Sequence, residues 1–290
     1  MERVLIITDS NAGISQVEAK QLGIKIVPMP FIINGEEYYE DINLSQEEFY
    51  QKLSNENASV STSQPSTYYL RETWDEALEN YEEVLYIPMS SGLSASQANA
   101  QAQSVYYNGK VQVVDNQRIS VTMKESVFEA IELKKQGKTA REIKEYLEST
   151  REISSIYIVV DTLKYLKKGG RVTPAGAALG TILRIKPVLQ IRGKKLDAFF
   201  KAMNIKQAKI KMITQMKLDL ENDFKEYYEQ GKMVISIAHT QNFEEAEKFK
   251  EEVLRMIPGV EVRFVDPLSL SVSCHIGPVA LAIAGCIKKY

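Results

Sequence analysis

The run Val4-Leu5-Ile6-Ile7 limits what this chain can become more than any other stretch. Four apolar, mostly β-branched residues with no polar alternation describe a strand covered on both faces, and such strands belong to parallel sheets clothed in helices. The turn Asp9-Ser10-Asn11-Ala12-Gly13 ends the run, and a helix is expected over 15–22 with Gly23 as its stop. The unit then recurs. Further buried strands are expected at 84–88 and 111–115, and helices over 68–81, 95–106, 121–136 and 139–150, the last opened by Thr139 with Glu142 three residues on. Residues 24–33 contain Pro28 and Pro30 and read as an edge strand, turned by Asn34-Gly35 into 36–40. Ser45 and Glu48 form a capping box for a helix running to about Leu53. Strands alternating with helices predict a mostly parallel three-layer α/β/α domain over residues 1–152.

After Arg151 the texture changes. A strand is expected at 153–161, a helical piece at 162–168, a break at Gly169-Gly170-Arg171, a small-residue helix over 174–180, a strand at 185–191, and a turn at Gly193 leading into 196–201. A long helix over 207–229 carries Ile210, Met212, Ile213, Met216 and Leu220 on one side. A buried strand at 233–239, a helix at 243–256, a strand at 260–265 and an apolar helix at 279–287 follow. The looser alternation predicts a two-layer α/β domain over 153–290 with a mixed sheet and helices on one face. With 290 residues, 44% of them hydrophobic, the chain can fill two cores.

A formal net charge of −2, with both signs interspersed, argues against nucleic acid as a partner. The longest apolar runs, such as 279–287, are too short to span a bilayer, and the first residues lack a charged region followed by a long apolar segment. The expectation is a cytoplasmic protein. Cys274 and Cys286 are two thiols in a chain too large to depend on a disulfide, and no second pair exists to build a zinc site. No metal or cofactor is expected.

Three loops gather hydrogen-bond donors beside expected helix starts. The first is Thr62-Ser63-Gln64-Pro65-Ser66, where Pro65 suits a first helical turn and the hydroxyls can cap it. The second is Ser90-Ser91-Gly92-Leu93-Ser94, with Ser94 as the cap of the following helix. In the third, His275 precedes Gly277-Pro278, where another helix is expected to begin. Hydroxyls, an imidazole and free N–H groups at helix starts can hold a carboxylate or phosphate. Taken alone, the first loop is better explained as an ordinary capped helix, and a lone His275 equally well as a structural hydrogen-bond donor. A serine hydrolase using Ser91 or Ser94 with His275 would need an orienting acid and a nucleophile elbow, and neither pattern is present. A nucleotide site is weaker, because Lys168-Gly169-Gly170-Arg171 lacks the spacing of a phosphate-binding loop. A binding protein for a molecule with an anionic head and an apolar body fits better.

Taken together, Thr8-Asp9-Ser10, Thr62-Ser63-Gln64-Pro65-Ser66, Ser90-Ser91-Gly92-Leu93-Ser94, the stretch 163–172, Lys186-Pro187 and Cys274-His275-Ile276-Gly277-Pro278 resemble the DegV family, in order and along essentially the whole chain. The resemblance implies a protein without catalytic residues of its own that binds a long-chain fatty acid between two α/β domains. It implies that Thr62, Ser94 and His275 reach the carboxylate, with the backbone N–H groups of Ser63 and Ser94 nearby and the acyl chain in an apolar tunnel. It further implies a partner, the catalytic subunit of a fatty acid kinase, which phosphorylates the carboxylate, with Arg171 on the docking surface; transient membrane contact is compatible with this role. The chain departs from the pattern in three places. Ala95-Ser96-Gln97 follows Ser94, Met203 stands where an arginine is usual, and Val279 replaces a customary glycine. An esterase or thioesterase, or a lipid sensor with no kinase partner, are the competing readings.

Overall fold

Alternate residues of the first strand face opposite helical layers. In a computed structural model that describes residues 2–55, 58–179, 185–192 and 195–288, β1 (Glu2–Asp9) sends Val4 and Ile6 into one core and Leu5 and Ile7 into another. The chain forms two compact units, Met1–Arg151 together with Ser269–Ser271, and Glu152–Leu268 together with Val272–Tyr290.

The first unit continues with α1 (Gln16–Leu22), capped by Ser15 and ended by Gly23 in the left-handed region at φ 65°. Then come β2 (Lys25–Val27), β3 (Phe31–Ile33), β4 (Glu36–Tyr38), α2 (Gln46–Leu53), β5 (Val60–Thr62) and α3 (Thr67–Leu78). After β6 (Tyr81–Ile87) follow α4 (Ser96–Ser104), β7 (Val111–Val113), α5 (Ser120–Lys135) and α6 (Ala140–Ser149). The strands β2-β1-β6-β7 form a parallel sheet in that order, with Leu5 opposite Val84 and Ile7 opposite Tyr86. Val4, Ile6, Leu85 and Ile87 pack against Met123, Val127 and Ala130 of α5 and Ile143 and Leu147 of α6. On the other face Ile7, Val84 and Tyr86 meet Leu70 and Trp74 of α3 and Ala100 of α4. This is the expected three-layer arrangement. The stretch expected as one edge strand over 24–33 divides instead. Between Pro28 and Pro30, neither of which can donate to a ladder, the chain leaves the parallel sheet and enters a separate antiparallel sheet of order β4-β3-β5.

The second unit comprises β8 (Ser154–Val159), α7 (Lys164–Gly169), α8 (Pro174–Leu179), β9 (Lys186–Ile191), β10 (Asp197–Ala202), α9 (Ile205–Glu221) and α10 (Lys225–Glu229). It is completed by β11 (Met233–His239), α11 (Phe243–Met256), β12 (Glu261–Pro267), α12 (Leu270–Ile276), whose first residues pack with the first unit, and β13 (Leu281–Ile287). The sheet order is β10-β9-β8-β13-β11-β12, antiparallel throughout except for β11 with β12. Met212, Ile213, Met216 and Leu220 of α9 and Phe249 and Val253 of α11 cover Tyr157, Ile235 and Ile283. Gly180, expected to close the small-residue helix, and the expected turn at Gly193 lie outside the described residues.

Three expectations are corrected here. The apolar helix at 279–287 is the central strand β13, every residue of which is buried. A short apolar run carries no period that distinguishes a buried strand from a buried helix. The long helix at 207–229 breaks into α9 and α10, because Asn222 turns its amide onto Leu218 O at 2.7 Å and the N–H of Phe224 reaches back to Asp219 O at 2.8 Å. His275 does not precede a helix. It lies in the last turn of α12, and the segment after Gly277-Pro278 enters the strand β13, so the helix start expected there does not form.

Candidate ligand-binding site

Thr62 ends β5, half-buried, opposite Phe31 of β3. The chain then runs through exposed Ser63 and Gln64 and buried Pro65 to Ser66, whose hydroxyl accepts the Tyr69 N–H at 3.1 Å and caps α3. The cap is therefore Ser66, with Pro65 outside the helix. Pro65 still fixes the approach, because the residue before a proline is held extended.

The second hydroxyl loop closes on Ser90. Its carbonyl accepts the N–H groups of Leu93 at 3.0 Å and Ser94 at 3.1 Å, and its Oγ accepts that of Gly92 at 3.2 Å. The cap position of α4 is Ala95, not Ser94. Ser94 Oγ nevertheless accepts the Ser96 N–H at 3.1 Å and lies 2.8 Å from Ser96 Oγ. When Ser96 donates that hydrogen bond, both acceptor positions of Ser94 are filled and its own O–H proton is free for an anion. The helices that follow these two loops pack on one face of the parallel sheet, where Thr67 Oγ1 of α3 donates to Asn99 Oδ1 of α4 at 3.4 Å.

Two of the carried-over donors are already used. The Ser63 N–H donates to Pro30 O at 3.1 Å and the Ser94 N–H to Ser90 O. The Ser63 hydroxyl donates to Gln64 O at 3.3 Å. Nearby carboxylates serve structure. Buried Asp9 accepts the N–H groups of Asn11 and Met89, both at 2.9 Å, tying together the ends of β1 and β6. Burial raises its pKa to about 6 against those hydrogen bonds. Ser91 Oγ donates to Asp115 Oδ2 at 3.0 Å, so its proton is directed to a carboxylate and not to an imidazole.

His275 belongs to the second unit, and its surroundings there give the Gly-Gly-Arg stretch a physical reading. Gly169, the last residue of α7, lies so close that a Cβ on it would overlap His275 Nδ1. Gly170 sits at φ 68° with open space around it and ends the helix in the left-handed conformation. Arg171 Nη1 then donates to Gly169 O. On the other side a Cβ at Gly277 would overlap the ring of Tyr165. Burial, and after it the positive charge of Arg171, push the His275 pKa down to about 4. The imidazole is therefore neutral at physiological pH and can give one N–H without bringing charge. The other histidine, His239, is buried at the end of β11, where Nδ1 accepts the Asn242 N–H at 3.3 Å. Met203 is exposed between β10 and α9, and its N–H donates to Gln207 Oε1 at 2.6 Å. No helix among the described residues is long and apolar enough to cross a membrane, and no group of three or more acidic, histidine or cysteine side chains among them could hold a metal.

A model of the DegV family, described as "Uncharacterised protein, DegV family", matches residues 3–288. This chain belongs to the DegV family. Protein DegV of Bacillus subtilis is 30% identical over 288 residues, covering 98% of this chain and 99% of that protein. Among solved structures, a DegV family protein from Thermus thermophilus, described for its fatty acid binding, superposes with a TM-score of 0.87 at 27% identity, covering 98% of this chain and 99% of the other. DegV of Bacillus subtilis, described as a fatty acid binding protein, superposes with a TM-score of 0.84 at 29% identity, covering 99% and 100%. The DegV relatives are thus described as binding proteins, and the mixed α/β architecture is theirs.

The sequence nominates the hydroxyls and the imidazole, but it gives no sign that Ser96 meets the Ser94 hydroxyl. The Gly169-Gly170 pair was visible, but its reason was not, because close approach of a side chain 106 positions away leaves no local trace.

Proposed function

We propose that this chain binds a long-chain fatty acid and presents its carboxylate to a fatty acid kinase for acyl phosphate formation, contributing no catalytic group of its own. The Thr62 and Ser94 hydroxyls and the neutral imidazole of His275 hold the head group, with Ser63 beside Thr62, and the acyl tail occupies an apolar tunnel. Arg171 serves the kinase-docking surface, where Met203 removes a customary cation. The observation that carries the reading is the match, along nearly the whole chain, to two DegV proteins described as binding fatty acid. The hydroxyl donors give it a chemistry, since uncharged donors satisfy a carboxylate without reacting with it. Each buried methylene of the tail adds about 0.8 kcal/mol.

The test is mass spectrometry of organic extracts from the purified protein and from Thr62→Ala, Ser94→Ala and His275→Ala. A hydrogen bond to a charged group is worth about 1.5–3 kcal/mol, so each substitution should lower affinity by roughly tenfold to a hundredfold. Unchanged retention in all three variants would reject the head-group assignment. A parent protein that carries no fatty acid and takes up none when offered would reject the ligand class.

A further inference from the structure

Ser94 and Ser96 share one hydrogen bond, and burial decides which of them owns its proton. Ser96, the first residue of α4, is 3% exposed, and its Oγ lies 2.8 Å from Ser94 Oγ. Among the described residues that oxygen has no other hydrogen-bond partner. Ser94 is only half-buried. If Ser94 donated, the Ser96 O–H would be left inside the protein with no acceptor, the costly state for a buried donor. With Ser96 as donor the buried proton is matched, and the proton left over is that of Ser94, which solvent or a ligand reaches. The Ser94 oxygen is held in place by the backbone. Its own N–H donates to Ser90 O at 3.1 Å, the Ser90 N–H donates to Arg118 O at 2.9 Å, and the Ser96 N–H donates to Ser94 Oγ at 3.1 Å. Ser91 in the same loop differs, because Asp115 takes its proton.

We infer that Ser96 is a positioning residue for the Ser94 proton, and that through it the site selects an ionised carboxylate over a neutral head group of the same shape. A serine oxygen accepts two hydrogen bonds. The N–H and O–H of Ser96 fill both positions, so Ser94 has no lone pair to offer a ligand and acts only as a donor. A carboxylate accepts from it without having to donate. A primary amide is nearly the same shape but brings N–H groups that Ser94 has no means of accepting. The chain from the Ser96 O–H through the Ser94 O–H to the carboxylate also polarises along its length, which strengthens the last bond for an anion. The inference rests on the proposed head-group role of Ser94.

The test is competition between hexadecanoic acid and its primary amide, hexadecanamide, for the delipidated protein, read by native mass spectrometry. Ser96→Ala keeps the backbone N–H on Ser94 and frees one lone pair for an amide N–H, so the preference for acid over amide should fall roughly tenfold. Ser96→Thr, which keeps the hydroxyl, should hold the parent ratio. Ser96→Cys, whose thiol is a weak donor, should fall between the two, and it carries the test if the alanine variant does not fold. In a Ser94→Ala background, Ser96→Ala should leave the ratio as it finds it, because Ser94 transmits the effect. A parent ratio in folded Ser96→Ala overturns the inference, since a merely structural role weakens both ligands alike. The two readings fail separately. A Ser94→Ala protein that loses its preference for the acid beside a Ser96→Ala protein that keeps it removes the Ser96 role alone. A Ser94→Ala protein with the parent's affinity for the acid removes Ser94 from the head group, and the Ser96 role with it.

Discussion

Gly169 and Gly170 are neighbours of one type with opposite reasons for being glycine. Gly170 needs its backbone conformation, at φ 68°, and has open space where a side chain would go. Gly169 needs the space, because His275 Nδ1 occupies the place a Cβ would take. Gly169→Ala should therefore displace the imidazole, lower stability by about 1–3 kcal/mol as overpacking does, and reduce fatty acid retention. Gly170→Ala should cost about 1 kcal/mol of backbone strain and leave retention as it was. Thermal denaturation with lipid extraction of both variants distinguishes the two, and equal retention would separate Gly169 from the site. Val279 illustrates the same limit on reading single letters. It holds φ 61°, a region that a β-branched residue enters only under strain and a glycine enters freely. The hydroxyls of Thr62 and Ser94 were legible because donor chemistry belongs to a residue. Close approach and backbone angle belong to pairs of residues, and the sequence shows one member at a time.

Among elements, legibility followed periodicity. The strands β1 and β6 were readable from the apolar runs at their centres, Val4 to Ile7 and Val84 to Ile87, which are buried on both faces, and α6 because its Thr139–Glu142 box sits at a fixed offset. The residues of β13 are just as apolar, but the sheet around them decides that they are extended, with Gly285 so close to α9 that a Cβ on it would stand 2.6 Å from Met216 Sδ. The helix α12 has no amphipathic period to announce it in seven residues. The junction of α9 with the sheet is held by a polar pin that also escaped notice. Buried Asp219 accepts Ser155 Oγ at 2.8 Å and Tyr157 OH at 2.6 Å from β8, accepts Gln215 Nε2 at 3.0 Å and pairs with Arg192. Replacing it by alanine leaves those donors unmatched, and Asp219→Ala should lose about 3 kcal/mol in urea denaturation. A loss under about 1 kcal/mol would mean that apolar packing alone holds α9 to β8.

The ionisation of the whole molecule sets two groups against two others. Folding raises Asp9 from its ordinary 3.8 to about 6 and Glu40 from 4.5 to about 7, in both cases mainly by burial, so the folded state takes up protons between those values. Through that range their contribution to stability falls as pH rises. Burial depresses His275 from 6.5 to about 4 and lowers His239, so the folded state releases protons there and stability rises with pH over the same interval. The opposing slopes flatten the stability of the ligand-free parent between pH about 4.5 and 6.5. His275→Asn removes one rising contribution, and its urea midpoint should fall more steeply with pH across that interval than the parent's. Equal slopes would mean that the imidazole is not held neutral in the folded state.

The three residues Ser269, Leu270 and Ser271 also give the molecule an order of assembly. Asn11 lies 258 positions before the first hydroxyl that fills its acceptor oxygen, and Glu40 lies 230 positions before the N–H that it receives. During synthesis the parallel sheet of the first unit can pair its strands early, but these two acceptors gain those partners only when nearly all of the second unit has left the ribosome. The first unit to begin folding is thus among the last to be finished, and the segment that finishes it is the one that brings His275.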